Sequence, residues 1–130
     1  MYRGTITSST AYTAGTNIPF AAQINSNSAT TTGSGTVTLL KAGYYNIFAN
    51  INATGAAAGN VTAQVTANGT ALASSAQTQT SAATTDALAF NLIDTIYVRP
   101  AAYPSRVTLA VTLSAAATIE NANFIVQRVK

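Results

Sequence analysis

Strict alternation of apolar and small polar residues is the feature that most constrains this chain. Val107, Leu109, Val111 and Leu113 alternate with Thr108, Ala110 and Thr112, and Val61, Ala63, Val65 and Ala67 alternate with Thr62, Gln64 and Thr66. A period of two sends alternate side chains to opposite faces of an extended backbone, so each run reads as a β-strand with one face in a core. Leu88, Phe90 and Leu92 form a third run, continued past Asp94 by Ile96 and Val98. Thr36 to Leu40 forms a fourth, leading through Lys41-Ala42-Gly43 into Tyr44 to Asn52. Ala is abundant, yet no helical period competes, because it is interleaved with Thr, Ser, Asn and Gly, which favour strands, caps and turns.

Turn chemistry separates these runs: Gly33-Ser34-Gly35, Gly55 to Gly59, Asn68-Gly69 and Pro100 to Ser105. Asn-Gly is the strongest of them as a hairpin signal, because both residues accept positive φ. A chain of 130 residues punctuated in this way predicts an all-β fold, an antiparallel β-sandwich of about eight to ten strands around one core. Ser26 to Gly35 is predicted to be an exposed connection, and Ser74 to Thr85 a loop or a weak edge strand whose polarity limits unwanted pairing.

Charged residues make up 7% of the chain, against roughly 25% in an ordinary soluble domain. The six basic residues, Arg3, Lys41, Arg99, Arg106, Arg128 and Lys130, are scattered apart from the last two, and so form no phosphate-tracking stripe; nucleic acid is not an expected partner. The chain has no His and no Cys, which removes His-based triads, thiolate zinc sites and imidazole metal sites together. The side-chain carboxylates are Asp86, Asp94 and Glu120, without a calcium loop around them. Turn or strand-end roles are expected for the two aspartates and a salt-bridge role for Glu120. No enzyme activity, cofactor or metal site is expected.

Gly55-Ala56-Ala57-Ala58-Gly59 lacks the Lys-Ser/Thr continuation of a phosphate loop and reads as a turn. Asn52-Ala53-Thr54, Asn60-Val61-Thr62 and Asn68-Gly69-Thr70 match the glycosylation pattern, as chance predicts in an Asn- and Thr-rich chain. There is no apolar run long enough for a spanning helix, and Met1-Tyr2-Arg3-Gly4-Thr5 lacks the order of a signal peptide. The expectation is a protein made and used without membrane insertion or export.

Two segments are apolar on both faces. Tyr45, Ile47, Ala49 and Ile51 share one face while Tyr44 and Phe48 take the other, and Phe124 and Val126 lie opposite Ile125 and Val129. The second face of a sandwich strand normally meets water, so a second apolar face calls for a cover. Another copy of the chain is the expected cover, with Tyr44, Phe48, Ile125 and Val129 at the interface. The alternative is a loop or the N-terminal arm of the same chain.

The order of these signals resembles a known family. A Thr-Val-Thr-Leu strand, then Ala42-Gly43-Tyr44-Tyr45-Asn46-Ile47, a strand ending in Asn68-Gly69, a long polar stretch, Asp94-Thr95-Ile96-Tyr97-Val98 and a final Phe124-Ile125-Val126-Gln127-Arg128-Val129 resemble the jelly-roll domain of tumour necrosis factor and the complement globular head. The bacterial and phage branch, found at virion fibres and spore-filament tips, is the more similar. Asn17-Ile18-Pro19-Phe20 is similar to the family's first core strand, while Ile93-Asp94 departs from the usual Gly-Asp. The resemblance implies a jelly-roll domain over residues 17–130, preceded by an arm or docking segment at 1–16. It also implies a homotrimer whose inner sheet, built from the first, third, sixth and last strands, faces the threefold axis.

Together with the composition, this implies a non-enzymatic structural protein on the exterior of a virion: a phage head fibre, capsid decoration protein or fibre tip, contacting other virion proteins through its N-terminal segment. The competing expectation is a binding module for a host-surface glycan or protein, with Tyr97, Arg99 and Tyr103 as the candidate ligand or receptor surface, since aromatic faces and Arg forks recur in recognition.

Overall fold

The computed structural model describes residues 1–25, 30–33, 35–72, 76–82, 86–99 and 107–129. Its strands are β1 (Tyr2–Ile6), β2 (Thr10–Tyr12), β3 (Ala21–Asn25), β4 (Thr30–Gly33), β5 (Thr36–Leu39), β6 (Gly43–Gly55), β7 (Gly59–Ala67), β8 (Thr70–Ala71), β9 (Gln77–Ser81), β10 (Ala87–Val98), β11 (Val107–Leu113) and β12 (Ala117–Arg128). One sheet runs β10-β6-β12-β1-β3, with β2 also paired to β12; the other runs β4-β5-β11-β7-β8, with β9 also paired to β7. All pairings are antiparallel, so the fold is a two-sheet all-β sandwich.

The alternating runs supply the core. Tyr45, Ile47 and Ile51 of β6, Phe90 and Leu92 of β10, and Ile119, Phe124 and Val126 of β12 meet Val37, Val61, Val65, Leu109 and Val111 from the other sheet, all of them buried. The expected face of β6 is therefore the inner one. The Asn68-Gly69 turn joins β7 to β8 with φ of 52° and 82°, the left-handed pair a tight hairpin demands.

Residues 1–16 are not an arm. β1 lies between β12 and β3, in register from Tyr2↔Val126 to Ile6↔Ala122, and β2 continues beside β12. Tyr2, Gly4 and Ile6 face inward while Arg3 faces out, a period-two pattern too short and too small in side-chain volume to stand out in the sequence. The Tyr2 ring meets Phe124 edge-on at 5.9 Å, and Phe20 meets the same ring at 5.3 Å. The first core strand is thus Tyr2–Ile6 rather than Asn17–Phe20. Ile18 is still buried, and its N–H donates to Val111 O at 3.0 Å.

The polar stretches also pair further than their composition suggests. Thr30–Gly33, expected to be part of an exposed connection, forms β4 against β5. Thr is a good strand former, and its pairing here is through the backbone, which an apolar pattern cannot reveal. Within Ser74 to Thr85, Gln77–Ser81 pairs with β7, the edge-strand alternative.

Candidate functional site: the outer face of one sheet

β10, β6 and β12 turn one continuous face away from the core, and their register aligns the outward residues in rows. Tyr97 pairs with Tyr44, and the Val129 N–H donates to Tyr44 O at 2.8 Å. Four residues along, Ile93 and Ile125 flank Phe48. Between these apolar rows lie Thr95, Asn46 and Gln127; beyond them come Asn91, Asn50 and Asn123, then Asn52 and Asn121. The five large apolar side chains exposed among the described residues are Tyr44 (48%), Phe48 (41%), Ile93 (65%), Tyr97 (50%) and Val129 (58%), and all five belong to this face.

Local structure fixes these positions. The Arg128 guanidinium donates to Ala42 O at 3.1 and 2.8 Å, while the Tyr45 hydroxyl donates to Lys41 O at 2.7 Å. Both hold the turn that delivers Tyr44 to the start of β6. Burial raises the Tyr45 phenol above its ordinary value, with the Arg128 charge opposing, and burial likewise raises Tyr2. The Tyr44 and Tyr97 rings lie 4.7 Å apart at an interplanar angle of 38°. A shallow groove of about 140 Å³ is walled by Phe48, Ile93 and Ile125 on one side and by Asn50, Asn91 and Asn123 on the other.

Amides are bonded across the strands. Asn50 Nδ2 donates to Asn91 Oδ1 at 2.6 Å, Asn52 Nδ2 to Asn121 Oδ1 at 2.7 Å, and Thr95 Oγ1 to Asn46 Oδ1 at 2.9 Å. None of the outward residues in these rows is charged. Charges lie around them: Arg3 on β1 donates to Asn123 Oδ1 at 3.4 Å, and exposed Arg99 follows β10. Glu120 sits where the β12 register shifts, and it accepts from Ser9 and Thr54 hydroxyls instead of the expected cation. On the other sheet the outward residues include hydroxyl pairs, Thr38–Thr108 and Thr62–Thr78 at 3.2 and 2.6 Å.

Tyr44, Phe48, Ile125 and Val129, the candidate interface residues, thus fall on one face. Tyr97, a candidate of the ligand surface, lies beside Tyr44 on the same face, and exposed Arg99 follows two residues on; Tyr103 lies outside the described residues. Asp86 has the expected turn role, its Oδ2 accepting the Ala82 N–H at 2.6 Å. Asp94 Oδ1 accepts the Thr95 N–H at 2.8 Å. Among the described residues no group of three or more His, Cys, Asp or Glu side chains could hold a metal ion. Sequence reasoning missed Ile93 and the asparagine rows. Ile93 carried a usable signal, being an apolar residue out of phase with Leu92 and Asp94; the asparagines carried one only in their concentration on strands, where Asn is disfavoured.

No family model matches the sequence. No curated protein matches it either. Solved structures do match in fold. Murine APRIL at pH 5.0 superposes with a TM-score of 0.70 at 8% identity, covering 95% of this chain and 96% of its own. Eiger TNF from S. frugiperda gives 0.70 at 9% identity, over 99% of this chain and 93% of its own. Murine APRIL at pH 8.5 gives 0.64 at 9% identity, over 95% and 96%. Coverage of 99% takes in the N-terminal strands, and identities this low bear on fold alone: the chain is a TNF-like jelly roll from β1 to β12.

Proposed function

We propose that this chain is a non-enzymatic structural protein of the bacterial and phage branch of the fold, assembling as a homotrimer on the exterior of a virion as a head fibre, capsid decoration or fibre tip. The observation that carries the self-association is the gathering of every exposed large apolar side chain of the described residues on one sheet face, in rows without a charged side chain. Such a patch on a soluble chain marks an interaction surface. β1 lies in the plane of the sheet and leaves the face uncovered by the N-terminus. The virion reading rests on the Thr-, Asn- and Ala-rich composition with few charges and on the sequence resemblance. Attachment to other virion proteins would then use the exposed stretch around β2 rather than a free arm.

Immunogold microscopy with an antibody to the chain tests the location. Labelled particle exteriors in a producing culture are expected; label confined to protein free of particles contradicts it. The exposed Tyr44–Tyr97 ring pair, with Arg99 two residues on, favours one other reading, a glycan- or receptor-binding module. Saturable, sugar-competed binding of the isolated protein on a glycan array would favour that module.

A further inference from the structure

Six of the eleven asparagines in the chain, Asn46, Asn50, Asn52, Asn91, Asn121 and Asn123, lie on the outer face of β6, β10 and β12. Asn is depleted from strands because its side chain competes for backbone hydrogen bonds, so this concentration opposes local preference. The opposite sheet solves the same problem of a polar outer face with Thr, a good strand former. A primary amide offers two N–H donors and a carbonyl with two acceptor sites. Among the described residues the bonds use one donor of Asn50 and of Asn52 and the carbonyls of Asn91, Asn121 and Asn123, and the amide N–H groups of the latter three have no partner there.

We infer that the asparagine rows set the stoichiometry and register of self-association, their partner being the same face of the other copies of the chain gathered about a common axis. This rests on the self-association reading above. The chemistry selects that partner: a surface carrying amide donors and acceptors beside Phe48, Ile93 and Ile125 is complementary to itself, whereas an ionic partner would bury charge against uncharged rows. Apolar rows alone tolerate sliding and alternative packings. Amide rows do not, because any shift that sets Asn50, Asn91 or Asn123 against an apolar row buries the amide groups that the bonds within the chain leave over, and these then lack partners. A single buried Asn fixes register and oligomer order between helices in the same way, at a cost in stability.

Native mass spectrometry of the purified chain and of an Asn50→Val/Asn91→Val/Asn123→Val variant tests this. The parent is expected to show one oligomer, and the variant several stoichiometries with an unfolding midpoint at or above the parent's. Asn50→Thr/Asn91→Thr, which keeps a polar, strand-favouring surface but removes the amides, is expected to broaden the distribution in the same direction and covers the case of an insoluble Val variant. Asn60→Val, on the other sheet, should leave the parent distribution unchanged. A variant retaining the single parent mass overturns the inference, as does a wholly monomeric variant, since the amides would then supply affinity rather than order. A monomeric parent overturns the self-association reading itself.

Discussion

At the scale of single residues, close packing makes the sharpest demands where a side chain is absent. A Cβ on Gly4 would lie 2.6 Å from Phe20 Cβ and against the Tyr2 hydroxyl, beneath the aromatic cluster around Phe124. Gly4→Ala is therefore expected to cost about 1–3 kcal/mol by overpacking, read as a lowered denaturant midpoint; an unchanged midpoint would show that β1 is not seated in the core. Tyr2 and Tyr45 give a second expectation. Both phenols are raised above 10.0 by burial, so the folded chain holds their protons more tightly than the unfolded one. Their contribution to stability is complete below pH 10 and is lost as the pH rises through the raised values. Thermal scans should fall away on the alkaline side, and Tyr45→Phe should reduce that fall; an alkaline fall of undiminished size would assign it elsewhere.

At the scale of the strand, side chains do part of the work of a sheet edge. β10 ends its sheet, and the Gln79 side chain closes its outer edge by accepting the Ala89 N–H at 3.1 Å and donating to the Ala89 carbonyl. Gln77 Oε1 accepts the Asn91 N–H at 2.7 Å. An open edge is a template for strand addition, so these two glutamines of β9 direct contacts away from the edge. Gln77→Ala/Gln79→Ala is expected to cost about 0.5–1.5 kcal/mol per lost bond and to give light scattering that grows with concentration; scattering equal to the parent's would mean the edge is protected by other means. The same strands show what the sequence reveals. β6, β7, β10 and β11 were legible because their apolar residues recur at every second position, and Tyr44, Phe48, Ile125 and Val129 because they break that phase. β4 was not, because backbone pairing of Thr leaves no apolar trace, and for the same reason β9 was legible only as one of two alternatives, the weak edge strand. Nor could any local pattern announce that Phe48 meets both Ile93 and Ile125, a register set between strands far apart in the chain.

At the scale of the molecule, the jelly roll has two outer faces of different chemistry, one hydroxylic and one striped with apolar and amide rows. The scarcity of charge then has a location: the uncharged rows occupy one face, with Arg3, Arg99 and Glu120 around them. Phe48→Asp with Ile125→Asp places charge in the middle of those rows while leaving the inner face of β6 and β12 untouched. The pair is expected to abolish association while the protomer stays folded by circular dichroism; unchanged assembly would assign the interface to another surface. The central claim itself is tested most directly by the mass of the unmodified chain in solution. Light scattering at micromolar concentration should give three times the 13.2 kDa chain mass, and a stable species of 13.2 kDa would contradict it.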